Sequence, residues 1–258
     1  MEKVHIKQSP NDNRVYQHLT LDNGLTVLLV QDENAEKSAA ALTVNVGHFD
    51  DPADYQGMAH FLEHMLFLGS ENFPQPAEYQ QFISQHGGSH NAWTGTEHSH
   101  FYFDIDTPQL QQAVARFSDM FCRPLFTAAY VEKERHAIEA EYSLKLKDDS
   151  RRIYQVHKET INQDHPFAKF SVGNLNTLND KPGQTLRDAL IEFYQQQYSA
   201  SRMSLCLVSP TSLLTMAQWV SHYFADLPAE LPAKAPLDVP LYNAEHQTIL
   251  LNIQPHKD

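Results

Sequence analysis

Apolar residues recur along this chain with two periods, and the switches between them mark its elements. "HLTLDNGLTVLLVQD", residues 18–32, alternates on both sides of Asn23-Gly24, which predicts two strands joined by a tight turn. "SAAALTVNVGHFDDP" predicts another strand, ended by the turn residues Asp50, Asp51 and Pro52. From Gly57 to Pro74, "GMAHFLEHMLFLGSENFP", the spacing becomes helical for about three turns and stops near Gly69. "QPAEYQQFISQHGG" predicts a shorter helix closed by Gly87 and Gly88. "HNAWTGTEHSHFYFDID" predicts two strands around a polar bend.

The second half is mainly helical. "PQLQQAVARFSDMFCRPLF" enters a helix at Pro108. "TAAYVEKERHAIEAEYSLKLKDDSRRIYQVHKETI" contains no Pro or Gly and predicts one long helix capped by Thr127. "HPFAKFSVGNLNTLNDKPG" is a loop, followed by a helix at "TLRDALIEFYQQQY", a strand at "RMSLCLVS" and a helix at "SLLTMAQWVSHYFADL". The predicted fold class is α+β, a largely antiparallel β-sheet with helices packed on it. Pro228, Pro232, Pro236 and Pro240 then punctuate a linker, and "HQTILLNIQP" predicts a strand with no following partner. Such a strand either closes the existing sheet or opens another domain. The expected division is residues 1–235 as one domain, with 236–258 a linker and the first strand of the next.

Composition narrows the function classes. At 258 residues, with 41% hydrophobic and 20% charged, the chain is ordinary for a globular protein. A net charge of -13 with only 19 Lys plus Arg argues against a nucleic-acid partner. No apolar run is long enough to span a membrane. The first residues lack an apolar secretory core, so the expected compartment is cytoplasmic, or periplasmic if a signal peptide has been removed. Two cysteines, Cys122 and Cys206, make neither a disulfide framework nor a zinc knuckle. Fifteen histidines are many for this length.

The candidate chemistry lies in the helix after Gly57. His60, Glu63 and His64 sit among Met58, Phe61, Leu62, Met65, Leu66, Phe67 and Leu68. At about 100° per residue, His60 and His64 fall within roughly 40° of each other, one turn apart, so both imidazoles can reach one ion. Glu63 lies about 60° from His60, beside the ion rather than on it. Zinc accepts such a set and leaves a position open for a water, whose proton Glu63 could take as general base. The order His-x-x-Glu-His is the inverted form of the commoner zinc-peptidase motif. The plainer alternative is two core histidines bonded to backbone beside a snorkelling glutamate. A third ligand is needed, and "VEKERHAIEAEY" offers Glu132, Glu134, Glu139 and Glu141. Glu134 and Glu141 share a helix face, but spacing alone does not choose among the four.

These segments, together with "GSHNAWTGTEHSHFYFDI", "RFSDMFCRPLF" and "HPFAKFSVGN", resemble the first domain of the pitrilysin and insulin-degrading enzyme (insulysin) family of zinc peptidases. The resemblance covers most of residues 15–235. It implies His60, His64 and Glu141 as ligands of one zinc ion, Glu63 as general base, and Glu134 as a second glutamate needed for activity. It also implies that Asn91, Ala92 and Trp93 form an edge strand that pairs with an extended peptide substrate. Phe67 and Trp93, and more weakly Tyr154, would then line an apolar pocket for a substrate side chain. His86, His90, His98 and His100 are read as surface or strand-face residues.

Family members carry four such domains enclosing a chamber, with an arginine and a tyrosine reaching the reacting carbonyl from a distant C-terminal domain. The chain is therefore expected to be an N-terminal fragment, with the remaining C-terminal domains as partners and low or no activity alone. Two alternatives remain: a non-catalytic scaffold or processing-complex subunit of the same fold, and metal storage. The complete ligand set weighs against the scaffold; storage would require several ions per chain.

Overall fold

Alternation along the strands sorts the chain into a buried and an open face. The computed structural model describes residues 6–228, 231–232, 234–246 and 248–255. Six strands, β1 (Val15–Thr20), β2 (Thr26–Gln31), β3 (Lys37–Val44), β4 (Ser89–Thr94), β5 (Ser99–Asp106) and β6 (Met203–Ser209), form one sheet in the order β1-β2-β6-β3-β5-β4. Four of its five pairings are antiparallel; β2 and β6 run parallel. Ala40, Leu42 and Val44 of β3 and Phe101, Phe103 and Ile105 of β5 are buried on one face with Val27, Leu29, Leu205 and Leu207.

That face packs on the helices α1 (Met58–Leu66), α2 (Glu78–Gln85), α3 (Leu110–Cys122), α4 (Ala128–Lys145), α6 (Leu186–Gln197) and α7 (Leu213–Tyr223), while α5 (Asp149–Glu159) lies outside the core cluster. Helical spacing explains the fit: Met58, Phe61, Leu62 and Met65 of α1 turn inward together, as do Leu110, Ala113, Val114, Phe117 and Phe121 of α3. The α+β reading of the sequence holds, with a mixed but mainly antiparallel sheet.

Two expectations are corrected. The long helix after Thr127 is two helices, interrupted at residues 146–148. Asp148 is extended (φ −85°, ψ 116°) and its carboxylate accepts the Arg151 N–H at 2.9 Å, so it starts α5 rather than continuing α4. Such capping is available wherever an aspartate precedes helix-favouring residues. Thr127 does precede α4, but its side chain makes no capping bond. At the other end, the described residues after 231 form no strand. An isolated segment has no ladder partner for its N–H and C=O groups and gains nothing from extension.

The start of α1 is fastened from two directions. The buried Asp51 carboxylate accepts the N–H groups of Gly57 (2.7 Å) and Ala59 (2.8 Å), which the first helical turn leaves unpaired. Lys169 donates to the carbonyls of Phe49 (2.6 Å) and Asp51 (2.7 Å), drawing the 165–173 segment onto the helix. Gly57 has φ +94°, and a Cβ there would stand 2.3 Å from the Gly173 Cα. Only glycine fits both the dihedral and the close approach.

Candidate metal centre and cleft

Helix α1 packs against α4, and their facing side chains make the site. His60 and His64, one turn apart, stand edge to face with ring centroids 4.7 Å apart. Each has its Nδ1 engaged: His60 donates to the Val172 carbonyl (2.7 Å) and His64 to Glu134 Oε1 (2.7 Å). Those bonds fix the tautomers and leave both Nε2 lone pairs free. Both Nε2 atoms point at one oxygen, Glu141 Oε2, at 3.6 Å and 3.8 Å. Two ligands bound to one ion at ~2.1 Å and a tetrahedral angle stand roughly 3.4 Å apart. The spacing therefore fits a shared ion with little adjustment. Among the described residues, His60, His64 and Glu141 form the one group of three metal-ligating side chains within 4.8 Å of one another.

Charge is arranged around this triad. Burial, reinforced by the neighbouring His64, pushes the His60 pKa down and favours its neutral, ligating form. For His64 burial acts the same way, but the Glu134 bond and charge outweigh it and hold the imidazole above its ordinary value. Burial pushes Glu141 up, yet the Lys145 ammonium bonded to it and the two imidazoles hold it below the usual carboxylate range. Glu134 and Glu141, a heptad apart on α4, take different roles: one touches Nδ1, the other faces both Nε2 atoms. Of the four glutamates that spacing left equal, Glu141 is the one grouped with both imidazoles. Glu132 instead pairs with Arg135 and Glu139 accepts the Leu175 N–H.

Glu63 is only 7% exposed and accepts a bond from the Thr94 hydroxyl to its Oε2 (2.5 Å). Burial raises its pKa, partly offset by Thr94 and by the nearby His64. It shares a cleft of about 560 Å³ with His60, His64, Glu141, Asn91, Ala92, Trp93 and Tyr154. Strand β4 is the last in the sheet, so the predicted edge position of Asn91, Ala92 and Trp93 is observed. Alternation turns Ala92 toward the core, while Trp93 stays 45% exposed beside the rings of His98 and His100.

Phe67 is half-buried and is not among the residues that line this cleft. It follows the last turn of α1, and its ring packs on Tyr79, His90 and Phe101, 5.8–6.1 Å away. His90 is held in that same aromatic cluster, and His86 is bonded to the Phe82 carbonyl, so neither joins the metal-ligating group. Thr94 and the Val172 carbonyl escaped the sequence reading. A threonine in a strand carries no chemical signature, and a backbone carbonyl carries none at all. His48, which lines the cleft and meets the buried Lys158 ammonium at 3.4 Å, was also unforeseen.

Comparison with known proteins now decides the family. Residues 26–169 match the domain described as Insulinase (Peptidase family M16), and residues 185–254 the Peptidase M16 inactive domain. The chain belongs to the insulinase family of peptidases. Its relatives include Protease 3 of Escherichia coli (strain K12), 41% identical over 97% of this chain and 26% of the relative. The A-factor-processing enzyme of Saccharomyces cerevisiae is 40% identical over 96% and 24%, and the insulin-degrading enzyme of Homo sapiens 38% over 98% and 25%. The crystal structure of pitrilysin superposes with a TM-score of 0.90 at 41% identity, covering 93% of this chain and 26% of that one. The chain thus spans about a quarter of the length of these insulinase-family relatives. Among its described residues no helix is long and apolar enough to cross a membrane.

Proposed function

We propose that this chain is the metal-binding, catalytic part of a zinc-dependent endopeptidase that hydrolyses peptides or small unfolded proteins. The observation that carries this reading is the convergence of two Nε2 atoms on one Glu141 oxygen, with both Nδ1 atoms engaged elsewhere. One zinc ion per chain would be held by His60, His64 and Glu141. Such an ion supplies Lewis acidity, which polarises a carbonyl and makes water a better proton donor near neutral pH.

The chain's own groups do the rest. Glu63 receives a proton from water as general base; its burial brings its basicity toward the pH at which it must work. The same carboxyl can then return that proton to the leaving amine. Thr94 fixes the Glu63 side chain by its hydroxyl, and Glu134 and Val172 orient His64 and His60. The free edge of β4 accepts an extended peptide as an added strand, so backbone bonds position the substrate without demanding a sequence. Asn91, Ala92, Trp93 and Tyr154 line the space it would occupy. Phe67, half-buried on an adjoining aromatic cluster, is assigned no contact in this arrangement.

Paired variants test these roles. Glu63→Gln should retain zinc and lose hydrolysis by about a hundredfold or more, since only the proton acceptor is removed. Glu141→Gln should lose zinc retention on dialysis. Metal loss in the first with full metal and activity in the second would reverse the assignment.

A further inference from the structure

The cleft continues past the triad. Lys145, Arg151, Tyr154, Ser171 and Val172 line both it and an adjoining groove of about 490 Å³ walled by α4, α5 and residues 170–174. Three cations face this groove. The Lys145 ammonium is bonded to Glu141, and Arg152 donates to Asp149 Oδ1 (2.6 Å) and the Gln254 carbonyl (3.1 Å). The third, Arg151, is exposed, and its guanidinium makes no hydrogen bond or ion pair among the described residues; only its backbone N–H is engaged, by Asp148.

Acidic residues outnumber basic ones 32 to 19 in this chain, so an arginine left without a carboxylate at a cavity junction is conspicuous. The one carboxylate among the residues lining the groove, Glu159, accepts from Gln155 at 2.9 Å. Arg151 stands one turn before Tyr154 on the same face of α5. The guanidinium offers planar paired donors matched to a carboxylate, and the ring offers a surface for the methylenes that carry one.

Resting on the peptidase reading above, we propose that Arg151 forms a specificity subsite for an acidic side chain, aspartate or glutamate, of a peptide lying in the cleft, with Tyr154 against its stem. The subsite deepens the proposed activity: the edge strand supplies sequence-independent affinity, and Arg151 supplies a charge preference.

The test uses fluorescein-labelled, C-terminally amidated peptides in which Glu, Gln or Lys is placed at each position in turn. Binding to the zinc-loaded Glu63→Gln chain is read by anisotropy, and cleavage by the unaltered chain is followed in parallel. At one position Glu should bind about fivefold tighter than Gln, a gap of the size expected for a partly exposed ion pair. The gap should shrink at high salt, vanish in Arg151→Ala and reverse in favour of Lys in Arg151→Glu. Equal binding of Glu and Gln, or a gap that survives Arg151→Ala, overturns the subsite. A gap seen only with free C-termini assigns Arg151 to the terminal carboxylate and overturns it as well. Cleavage of all peptides without charge preference removes the subsite and leaves the peptidase reading standing. Charge-dependent binding through Arg151 by a chain that retains no zinc and cleaves nothing does the reverse.

Discussion

At the scale of single residues, burial decides which charges the site tolerates. His48 is 2% exposed; its Nδ1 lies 3.2 Å from the Gly95 carbonyl and its Nε2 faces the Lys158 ammonium. Burial first, and then the charges of Lys158 and Lys169, push this imidazole down to about 4. Unfolding releases it to an ordinary value near ~6.5, so between those limits the unfolded chain binds the extra proton. Stability from this residue is therefore complete above the unfolded value and is lost as pH falls through the folded one. The loss amounts to ~3 kcal/mol. Asp51, whose burial raises its pKa to about 7, acts in the opposite sense over the same window. The readout is therefore the difference in urea unfolding between the unaltered chain and His48→Asn, which should change by that amount as pH falls. A difference independent of pH would assign the acid sensitivity elsewhere. The same physics acts on Glu63, whose burial raises its pKa while Thr94 and His64 oppose the shift.

At the scale of elements, α1 is a rigid mount whose N-terminus is pinned by Asp51 and by the close contact of Gly57 with Gly173. Gly57→Ala should cost ~2 kcal/mol or more of stability, from the positive φ and the backbone clash together. It should also weaken metal retention, because the segment it displaces carries the Val172 carbonyl that orients His60. A variant with unaltered unfolding midpoint and metal content would contradict this. The elements themselves were largely legible. Alternation marked all six strands, and helical spacing marked α1, α2, α3, α6 and α7. What escaped was a boundary inside a continuous helical pattern, where Asp148 diverts backbone bonding to its own side chain, and the terminal segment, whose extension needs a partner strand. For the site, His60, Glu63 and His64 were visible from spacing because they share one helix. The choice of Glu141 over its neighbours depended on how α4 crosses α1, which no local pattern records. For Phe67, sequence gives the angular face of the side chain but not the aromatic cluster of Tyr79, His90 and Phe101 on which it packs.

At the scale of the molecule, one edge strand and one helix pair build an accessible cleft on a large buried core, and the chain spans about a quarter of its relatives' length. The family resemblance implies that an arginine and a tyrosine from a distant domain reach the reacting carbonyl. On that basis this chain alone should hydrolyse a fluorogenic peptide about a hundredfold or more slower than a protein of the relatives' full length, the usual loss on removing oxyanion donors. Equal rates would mean that the cleft described here is sufficient by itself. Peptidase chemistry in this cleft depends on His60, His64 and Glu141 sharing one ion. Crystals of the zinc-loaded chain, with anomalous diffraction recorded on either side of the zinc edge, test this most directly. One peak per chain is expected, within bonding distance of both Nε2 atoms and a Glu141 oxygen. A peak elsewhere, or none with zinc in excess, would contradict it.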